Sequence, residues 1–292
     1  MNHISKFRKT FKIDPKANLS EVAVAVGAIY EADQIATAYL GEIDPTDNSA
    51  GFRIHSLLNL LGRTFEHTQA MLVAVSTGSP ASAEALARIV VEGSMNVMYL
   101  ATLGDSGTLL RFFRSWLSEH NRKLTEWKLK IQGEAYANKV SAMIEDRRGV
   151  IVAFEAYLTL VETQCSIKTT APSADWPKSL FKRFEAMGRE TDYYESYHRL
   201  SGSSHINGED TLSWLVALDL PNEQRHLLGL EAWAYSIMMT RIASRFFVEA
   251  AVSCTIAYGR LNNDDLQKCR SALGDAVHSI AQAAGVPIGR RH

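Results

Sequence analysis

The stretch that decides the fold of this 292-residue chain runs from residue 87 to residue 100 and reads ARIVVEGSMNVMYL. Apolar residues in this stretch fall on every side of a helix with 3.6 residues per turn. Such a helix must be buried on all sides, and only neighbouring elements of the fold can bury it. Elsewhere the chain repeats apolar residues at three- and four-residue spacing with little strict alternation, a pattern typical of amphipathic helices. The sequence therefore predicts an all-α fold without a substantial β-sheet.

Turn signals divide this helical pattern into about eight or nine helices. Gly, Pro, Ser, Asn and Asp cluster at residues 44–48, 78–80 and 104–107, and an irregular segment follows at residues 167–175. We expect a multi-helix bundle or array. Residues 1–18 are interpreted as a basic N-terminal arm, residues 19–286 as a single helical domain and residues 287–292 as a C-terminal tail. Two closely packed helical halves are the alternative to a single domain.

Composition excludes several classes of protein. The chain is 46% hydrophobic and 22% charged, with a formal net charge of −1. These values are ordinary for a globular protein and unlike those of a disordered chain. A nearly neutral surface does not attract nucleic acid or anionic lipid as a whole, so any such partner must bind a local patch.

Cysteine usage and hydropathy indicate the compartment. The three cysteines are widely spaced and form no C-x-x-C motif, so we expect neither a disulfide framework nor a cysteine zinc site. No apolar stretch approaches the roughly 20 residues that a membrane span needs. We therefore expect a cytoplasmic protein that is neither exported nor inserted into a membrane, with no cofactor and no metal.

Four polar residues share one face of the apolar helix at residues 87–100. At about 100° per residue, Arg88, Glu92, Asn96 and Tyr99 fall within an arc of roughly 80°. Because buried charge is costly without a partner, we expect Arg88 and Glu92 to be largely buried and to form an ion pair. This stripe is interpreted either as an internal network that fixes helix packing or as the wall of a polar binding pocket. On a later helix, Glu231, Tyr235, Arg245 and Glu249 form a similar stripe, for which an internal set of salt bridges is favoured.

The densest set of chemically capable side chains lies in residues 192–205, which read DYYESYHRLSGSSH. On a continuous helix, Tyr197, Ser201 and His205 share one face at i, i+4 and i+8. His205 can then act as an acid or base, with Ser201 as a hydroxyl donor and Tyr197 as an orienting group. The structural alternative is that the hydroxyls cap a helix end and that His205 bonds a backbone carbonyl.

The order and spacing of these motifs resemble a widespread family of bacterial helical proteins, the domain-of-unknown-function family numbered 5677. The resemblance rests on Arg88-x3-Glu92, on Trp176-Pro177 and on Tyr197-x3-Ser201-x3-His205, and it covers about residues 50 to 260. It implies a helical fold with a shared polar centre. It implies no particular reaction.

A looser similarity is to the HEPN superfamily of helical, usually dimeric domains, many of which cut RNA. Its mark is an Arg and a His four to six residues apart, a spacing that Arg199 and His205 fit. The similarity implies that His205 promotes attack of a ribose 2′-hydroxyl on its phosphate while Arg199 holds the phosphate charge. Leu200 departs from the pattern, because a polar residue usually follows the Arg. We expect Gly202 to interrupt the helix and to turn His205 back towards Arg199.

Two further sequence patterns indicate alternative functional sites. Glu195-x-x-His198 and Glu223-x-x-His226 have the spacing found in di-iron bundles, although such sites need a Glu from each of two more helices. A basic and aromatic run at residues 111–130 is a candidate RNA-binding patch, or else a solvated face diluted by Glu119 and Glu126.

Three hypotheses for function follow. The first is a metal-independent, HEPN-like ribonuclease effector of toxin or defence type that uses Arg199, His205, Ser201 and Tyr197, with RNA and a second copy of the chain as candidate partners and no DNA. The second is a non-catalytic helical module that binds a ligand or protein in a polar core. The third is a di-iron helical bundle.

Overall fold

The computed structural model describes residues 2–17, 19–169, 175–203 and 208–283. Throughout these ranges the regular structure is helical and contains no β-strand, which confirms the predicted all-α class. No helix among the described residues is long and apolar enough to cross a membrane. The cysteines Cys165, Cys254 and Cys269 are all free thiols.

The described residues form eleven continuous helical segments, two or three more than the eight or nine that the sequence predicts. One segment contains α8, a π-helical turn and α9 without a break. The helices are α1 (His3–Thr10), α2 (Ser20–Gly41), α3 (Asn48–Ser76), α4 (Pro80–Thr102), α5 (Ser106–Lys130), α6 (Ala137–Gln164), α7 (Leu180–Ala186), α8 (Glu190–Asp192), the π-helical segment (Tyr193–His198), α9 (Arg199–Ser203), α10 (Gly208–Asp219), α11 (Asn222–Ala257) and α12 (Asp264–Ala283).

The two helices that the sequence did not predict are α1 and α10. Helix α1 lies inside the segment interpreted as a basic arm, where four basic residues obscure a single apolar anchor. The Asn2 side chain caps this helix by accepting from the Ile4 amide at 3.0 Å. Phe7 is fully buried and meets the Tyr30 ring of α2 edge-on. The His3 ring and the Lys6 ammonium also lie against the Tyr30 ring, so this short helix is held by contacts that periodicity does not reveal.

The chain folds into two compact units. The first comprises Met1–Ile43, Leu57–Thr102 and Ser179–His292. At its centre α11 packs against α4, and α2 and α12 pack against α11 as well. Between Ser236 and Thr255 nearly every residue of α11 is buried, as are most residues of α4 from Val90 to Ala101. The predicted burial of the ARIVVEGSMNVMYL helix is thus confirmed, with Ile89 as an exposed exception.

The second unit comprises Asp44–Ser56 and Leu103–Lys178. Helices α5 and α6 pack together through two apolar clusters, one around Leu117 and Leu158 and one around Leu124 and Ile144. Helix α5 begins with a capping box between Asp105 and Thr108, which satisfies two amides that the first turn leaves free. The division into arm, single domain and tail stays a prediction.

Gly93 of α4 sits against Thr64 of α3, inside the first unit. A Cβ atom at position 93 meets Thr64 Oγ1 at 2.9 Å and its Cγ2 at 3.4 Å. Thr64 is buried, and its hydroxyl donates to the Leu60 carbonyl at 2.8 Å, so the side chain has little freedom to move away. Glycine is therefore required here by close helix packing.

We expect Gly93→Ala to lower the free energy of unfolding by roughly 1 kcal/mol. Overpacking against Thr64 destabilises the protein by about 1 to 3 kcal/mol. The higher helix propensity of alanine offsets about 1 kcal/mol of that loss. Gly27→Ala on α2 is the matched control. A Cβ there meets nothing within 4 Å, so this variant should be neutral or more stable than the parent. Urea denaturation of both variants measures the difference. Equal effects of the two substitutions would contradict close packing at Gly93.

Candidate functional site

The polar stripe on α4 lies beside the segment that connects α7 to α9. Arg88 and Glu92 are partly buried on α4, and Tyr197 approaches them from the π-helical segment. π-Helical turns are rare and are found mainly at functional sites, because the wider turn shifts the side chains that follow it. In this chain the π-helical segment includes Tyr197.

Tyr197 bridges the two charged residues of the stripe. Arg88 Nη2 donates a hydrogen bond to the Tyr197 hydroxyl at 2.9 Å, and its guanidinium carbon lies 4.8 Å from the centroid of the tyrosine ring. The Tyr197 hydroxyl donates in turn to Glu92 Oε2 at 3.4 Å. A single tyrosine therefore links the positive and the negative group across two segments of the chain.

The direct Arg88–Glu92 ion pair that the sequence predicts is wrong. Among the described residues, no nitrogen of Arg88 comes within ion-pair distance of Glu92, and neither side chain is largely buried. The reason is the aromatic ring of Tyr197, since a guanidinium gains from lying over a ring face as well as from a hydrogen bond. Both gains draw Arg88 towards Tyr197 and away from the carboxylate one turn along its own helix.

A further charged residue, Arg183 of α7, lies near Glu92 and Tyr197. Only 8% of the residue is exposed. Burial lowers the pKa of the Arg183 guanidinium from its ordinary value, while the nearby Glu92, Tyr197 and Tyr99 oppose that shift. Sequence patterns gave no sign of Arg183, because it lies on a seven-residue helix with no stripe of its own. We call Arg88, Glu92, Tyr99, Arg183 and Tyr197 the polar centre.

The other predicted residues of the α4 stripe differ in their surroundings. Tyr99 is buried close to Arg183. Asn96 is partly buried, and its Oδ1 atom is shielded from solvent with no hydrogen-bond partner among the described residues. The stripe thus supplies a buried hydroxyl and a buried amide oxygen next to the charged pair. Whether the four residues bind a ligand stays a prediction.

The residues predicted to be catalytic are only partly brought together. Ser201 donates to the Tyr197 carbonyl at 2.9 Å, so its hydroxyl bonds the backbone of its own helix. Arg199 is exposed. Gly202 and Ser203 are still helical in α9, whereas His205 and the expected turn back towards Arg199 lie outside the described residues. The catalytic roles of Arg199, Ser201, Tyr197 and His205 stay predictions.

A second buried charge, Glu249 on α11, lies among three arginines. Its Oε2 atom is 2.6 Å from Arg189 Nη2, and its Oε1 atom is 2.6 Å from Arg270 Nε and 3.1 Å from Arg245 Nε. The pairing with Arg245 follows from the i,i+4 spacing in the sequence. Arg189 and Arg270 come from distant segments, and no spacing signal could have found them. Glu231, the other acidic member of that predicted stripe, is exposed.

Electrostatics explain how Glu249 stays charged. Burial alone raises the pKa of its carboxyl, but Arg189, Arg270 and Arg245 outweigh that effect and hold the pKa below its ordinary value. Arg189 also contacts Asp192 at 2.6 Å and lies over the Phe246 ring. This arginine therefore ties the segment before Tyr197 to α11.

Asp33 on α2 is another perturbed group that sequence reasoning missed. Burial raises the pKa of its carboxyl to about 6, and the positive charge of Lys6 opposes the shift. Its surroundings include Tyr30, whose hydroxyl accepts from Gln69 at 2.7 Å. A lone aspartate on a mostly apolar helix carries no motif, so only the packing of α1 and α2 reveals it.

The metal and RNA hypotheses receive little geometric support. Within the described ranges, no three His, Cys, Asp or Glu side chains lie close enough to hold a metal ion, and both Glu-x-x-His pairs are exposed. The basic residues of α5 are mostly paired with carboxylates: Arg111, Arg114, Arg122, Lys123 and Lys128 each contact an acidic side chain. RNA as a partner stays a prediction.

Comparison with family models places this chain in a class of helical proteins without an assigned activity. The model of the Family of unknown function (DUF5677) matches residues 55–219, more than half of the chain, and the chain belongs to that family. Comparison with curated proteins gave no match, and comparison with solved structures gave none. The whole polar centre lies within the matched residues. Similarity to the HEPN superfamily is not among these matches and stays a prediction.

We expect Tyr197→Phe to lower the free energy of unfolding by about 1 to 3 kcal/mol, because it leaves Arg88 and Glu92 without the hydroxyl that joins them. Tyr194→Phe is the matched control, since Tyr194 is an exposed tyrosine of the same π-helical segment and should tolerate loss of its hydroxyl. Thermal or urea denaturation compares the two. Equal stability of Tyr197→Phe and the parent would contradict a bridging hydroxyl.

We expect Glu249→Gln to lower the free energy of unfolding at pH 7 by about 3 to 5 kcal/mol, because three arginines lose a buried countercharge. The folded-state pKa of Glu249 is lowered, so its contribution is present above the unfolded-state value of about 4.3 and is lost as pH falls through the lower folded-state pKa.

Urea denaturation from pH 7 to pH 3 checks both statements, with exposed Glu195→Gln as the control. The stability difference between parent and Glu249→Gln should shrink towards pH 3. A difference that does not change with pH would rule out a charged Glu249 as its source.

Proposed function

We propose that this protein binds a small anionic ligand, of the phosphate or carboxylate class, at the polar centre. The observation that carries the proposal is the hydrogen bond from Arg88 to the Tyr197 hydroxyl, which in turn donates to Glu92, with the buried Arg183 guanidinium near enough to interact electrostatically with Glu92 and Tyr197. The function is that of a ligand-binding helical module, the second of the three hypotheses that the sequence raises.

The charges of the described side chains favour an anion. Arg88 and Arg183 bring two positive charges, and Glu92 brings one negative charge. Arginine binds phosphate and carboxylate oxygens through two parallel N–H bonds, so two arginines beside one carboxylate favour an anionic ligand over a cationic one.

Solvent access supports binding over a purely structural role. Arg88, Glu92 and Tyr197 are each partly exposed, whereas Arg183 and Tyr99 are buried. A ligand in solvent can therefore reach Arg88, Glu92 and Tyr197.

The matched family region gives a second line of support. Each of the five residues of the polar centre lies between residues 55 and 219, although they come from three separate helical segments. The exposed Arg199 and the backbone-bonded Ser201 give less support to the ribonuclease hypothesis, which depends on His205.

The test measures binding of inorganic phosphate and of adenosine monophosphate to the protein, by thermal shift and by calorimetry. A ligand at 100 times its dissociation constant should stabilise the parent by about 2.7 kcal/mol. Arg88→Met should weaken binding at least tenfold, because one of the two guanidinium groups is lost. Arg199→Met is the matched control, an exposed arginine nearby that should leave affinity unchanged.

Either of two results would overturn the proposal. One is that the folded parent binds neither probe at millimolar concentration. The other is that Arg88→Met binds a probe with parental affinity. Incubation with mixed RNA is run beside it with a His205→Ala variant. Cleavage by the parent and not by that variant would favour the ribonuclease hypothesis instead.

A further inference from the structure

Helix α10 and the first part of α11 form a helical hairpin with several leucines that face solvent. We call this element, residues 208–232, the leucine hairpin. Six of its leucines are between 40% and 63% exposed: Leu212, Leu215, Leu218, Leu227, Leu228 and Leu230. Val216 adds a further exposed aliphatic side chain. Scattered surface leucines need no explanation, but six within two consecutive helices mark an apolar patch.

The leucine hairpin is held in shape by its own turn. Arg225 on α11 donates to the carbonyls of Ala217, Leu218 and Leu220 at 3.0, 2.8 and 3.1 Å. These carbonyls lie at the end of α10, where an α-helix leaves acceptors without partners. One arginine thus closes the hairpin and fixes α10 against α11. The patch is consequently a formed surface.

The leucine hairpin projects from the buried core. Every residue from Pro221 to Ala232 is exposed, and continuous burial of α11 begins only at Ser236. At 1.5 Å per residue, the exposed start of this 36-residue helix extends about 16 Å. Helix α10 has only 12 residues, a length at which an isolated helix is marginal in water. Packing against an apolar surface is what stabilises such a helix.

We propose that the leucine hairpin is the interface through which two copies of this chain form a homodimer. Two hairpins that meet across a twofold axis make a four-helix arrangement, in which the leucines of each cover those of the other. An interface of this kind is self-complementary, so one patch suffices. The inference is independent of the ligand proposed for the polar centre.

The area of the leucine hairpin fits a dimer. The largest apolar patch on a typical monomer covers about 300 to 600 Å², and six half-exposed leucines with Val216 reach the upper end of that range. Two such patches with their polar rims approach the roughly 1,200 Å² at which stable protein interfaces begin. Two copies of the patch therefore supply about the area at which stable interfaces begin.

The charges around the patch argue against an anionic membrane as its partner. The exposed acidic residues Asp219, Glu223 and Glu231 rim the patch, and Arg225 is engaged with backbone carbonyls. An acidic rim is repelled by an anionic lipid surface, which selects basic amphipathic helices. A whole-chain net charge of −1 imposes almost no long-range repulsion between copies.

The test is the oligomeric state of the full chain by light scattering and sedimentation at micromolar concentration. The parent should have twice the mass of one chain. Leu218→Glu combined with Leu227→Glu should give a monomer, because it buries four charges at the interface. Leu160→Glu on α6 is the matched control, a leucine that is 51% exposed outside the leucine hairpin, and it should leave the dimer intact.

A milder pair, Leu218→Ser with Leu227→Ser, guards against loss of folding in the charged variant and should raise the dimer dissociation constant at least tenfold. Circular dichroism verifies that each variant is helical. A monomeric parent, a dimer that survives both double substitutions in folded protein, or dissociation by Leu160→Glu would each overturn the proposal.

Discussion

The cost of burying charge on α4 governs the arrangement of the first unit. This helix lies in the core on nearly every side, so a charged residue on it has water on one narrow face only. Arg88 and Glu92 are satisfied by Tyr197, which lies more than 100 positions later in the chain. The residues between α7 and α9 must therefore pack on α4 in one register. Any slip separates the Arg88 guanidinium from the Tyr197 hydroxyl and breaks a hydrogen bond to a charged group.

The same constraint explains why Arg189 and Glu249 occur where they do. Arg189 starts the helical segment that contains Tyr197, and its contact with Glu249 fixes that segment to α11. Glu249 also meets Arg270 of α12, so one carboxylate joins three helical segments. Since α11 also packs along α4, the network around Glu249 holds the segment with Tyr197 next to the helix that carries Arg88 and Glu92. Apolar packing supplies the bulk of the stabilisation, and these charges select one arrangement among many.

Sequence periodicity predicted the long helices and the burial of the stretch from Ala87 to Leu100, because one element's own residues determine which of its faces are apolar. It missed α1, which depends on Phe7 reaching a ring on another helix, and α10, whose leucines remain exposed. Rules based on a buried apolar stripe cannot recognise a helix whose stripe faces outward.

The sequence predicted most residues of the candidate site, but it did not predict which of them contact each other. Spacing placed Arg88, Glu92, Asn96 and Tyr99 on one face, and it singled out Tyr197. The structure joins Tyr197 to Arg88 and Glu92, in place of the direct ion pair expected from i,i+4 spacing. Which of two acceptors an arginine takes depends on how two distant helices are rotated about their axes. No local pattern in the sequence encodes that rotation, and for the same reason Arg183 escaped notice.

The polar centre and the leucine hairpin place different demands on whatever binds them. The centre offers donors in fixed positions around a net positive charge, so only a ligand with matching acceptors repays the loss of water. The leucine hairpin offers apolar area with few directional groups, and any apolar surface of similar shape gains from covering it. Specificity there must come from the fit of two helices to two others, which an identical copy meets by symmetry. Helix α11 takes part in both regions of the first unit, because its buried part carries Glu249, which pairs with the Arg189 that precedes the Tyr197 segment, and its exposed start forms half of the leucine hairpin.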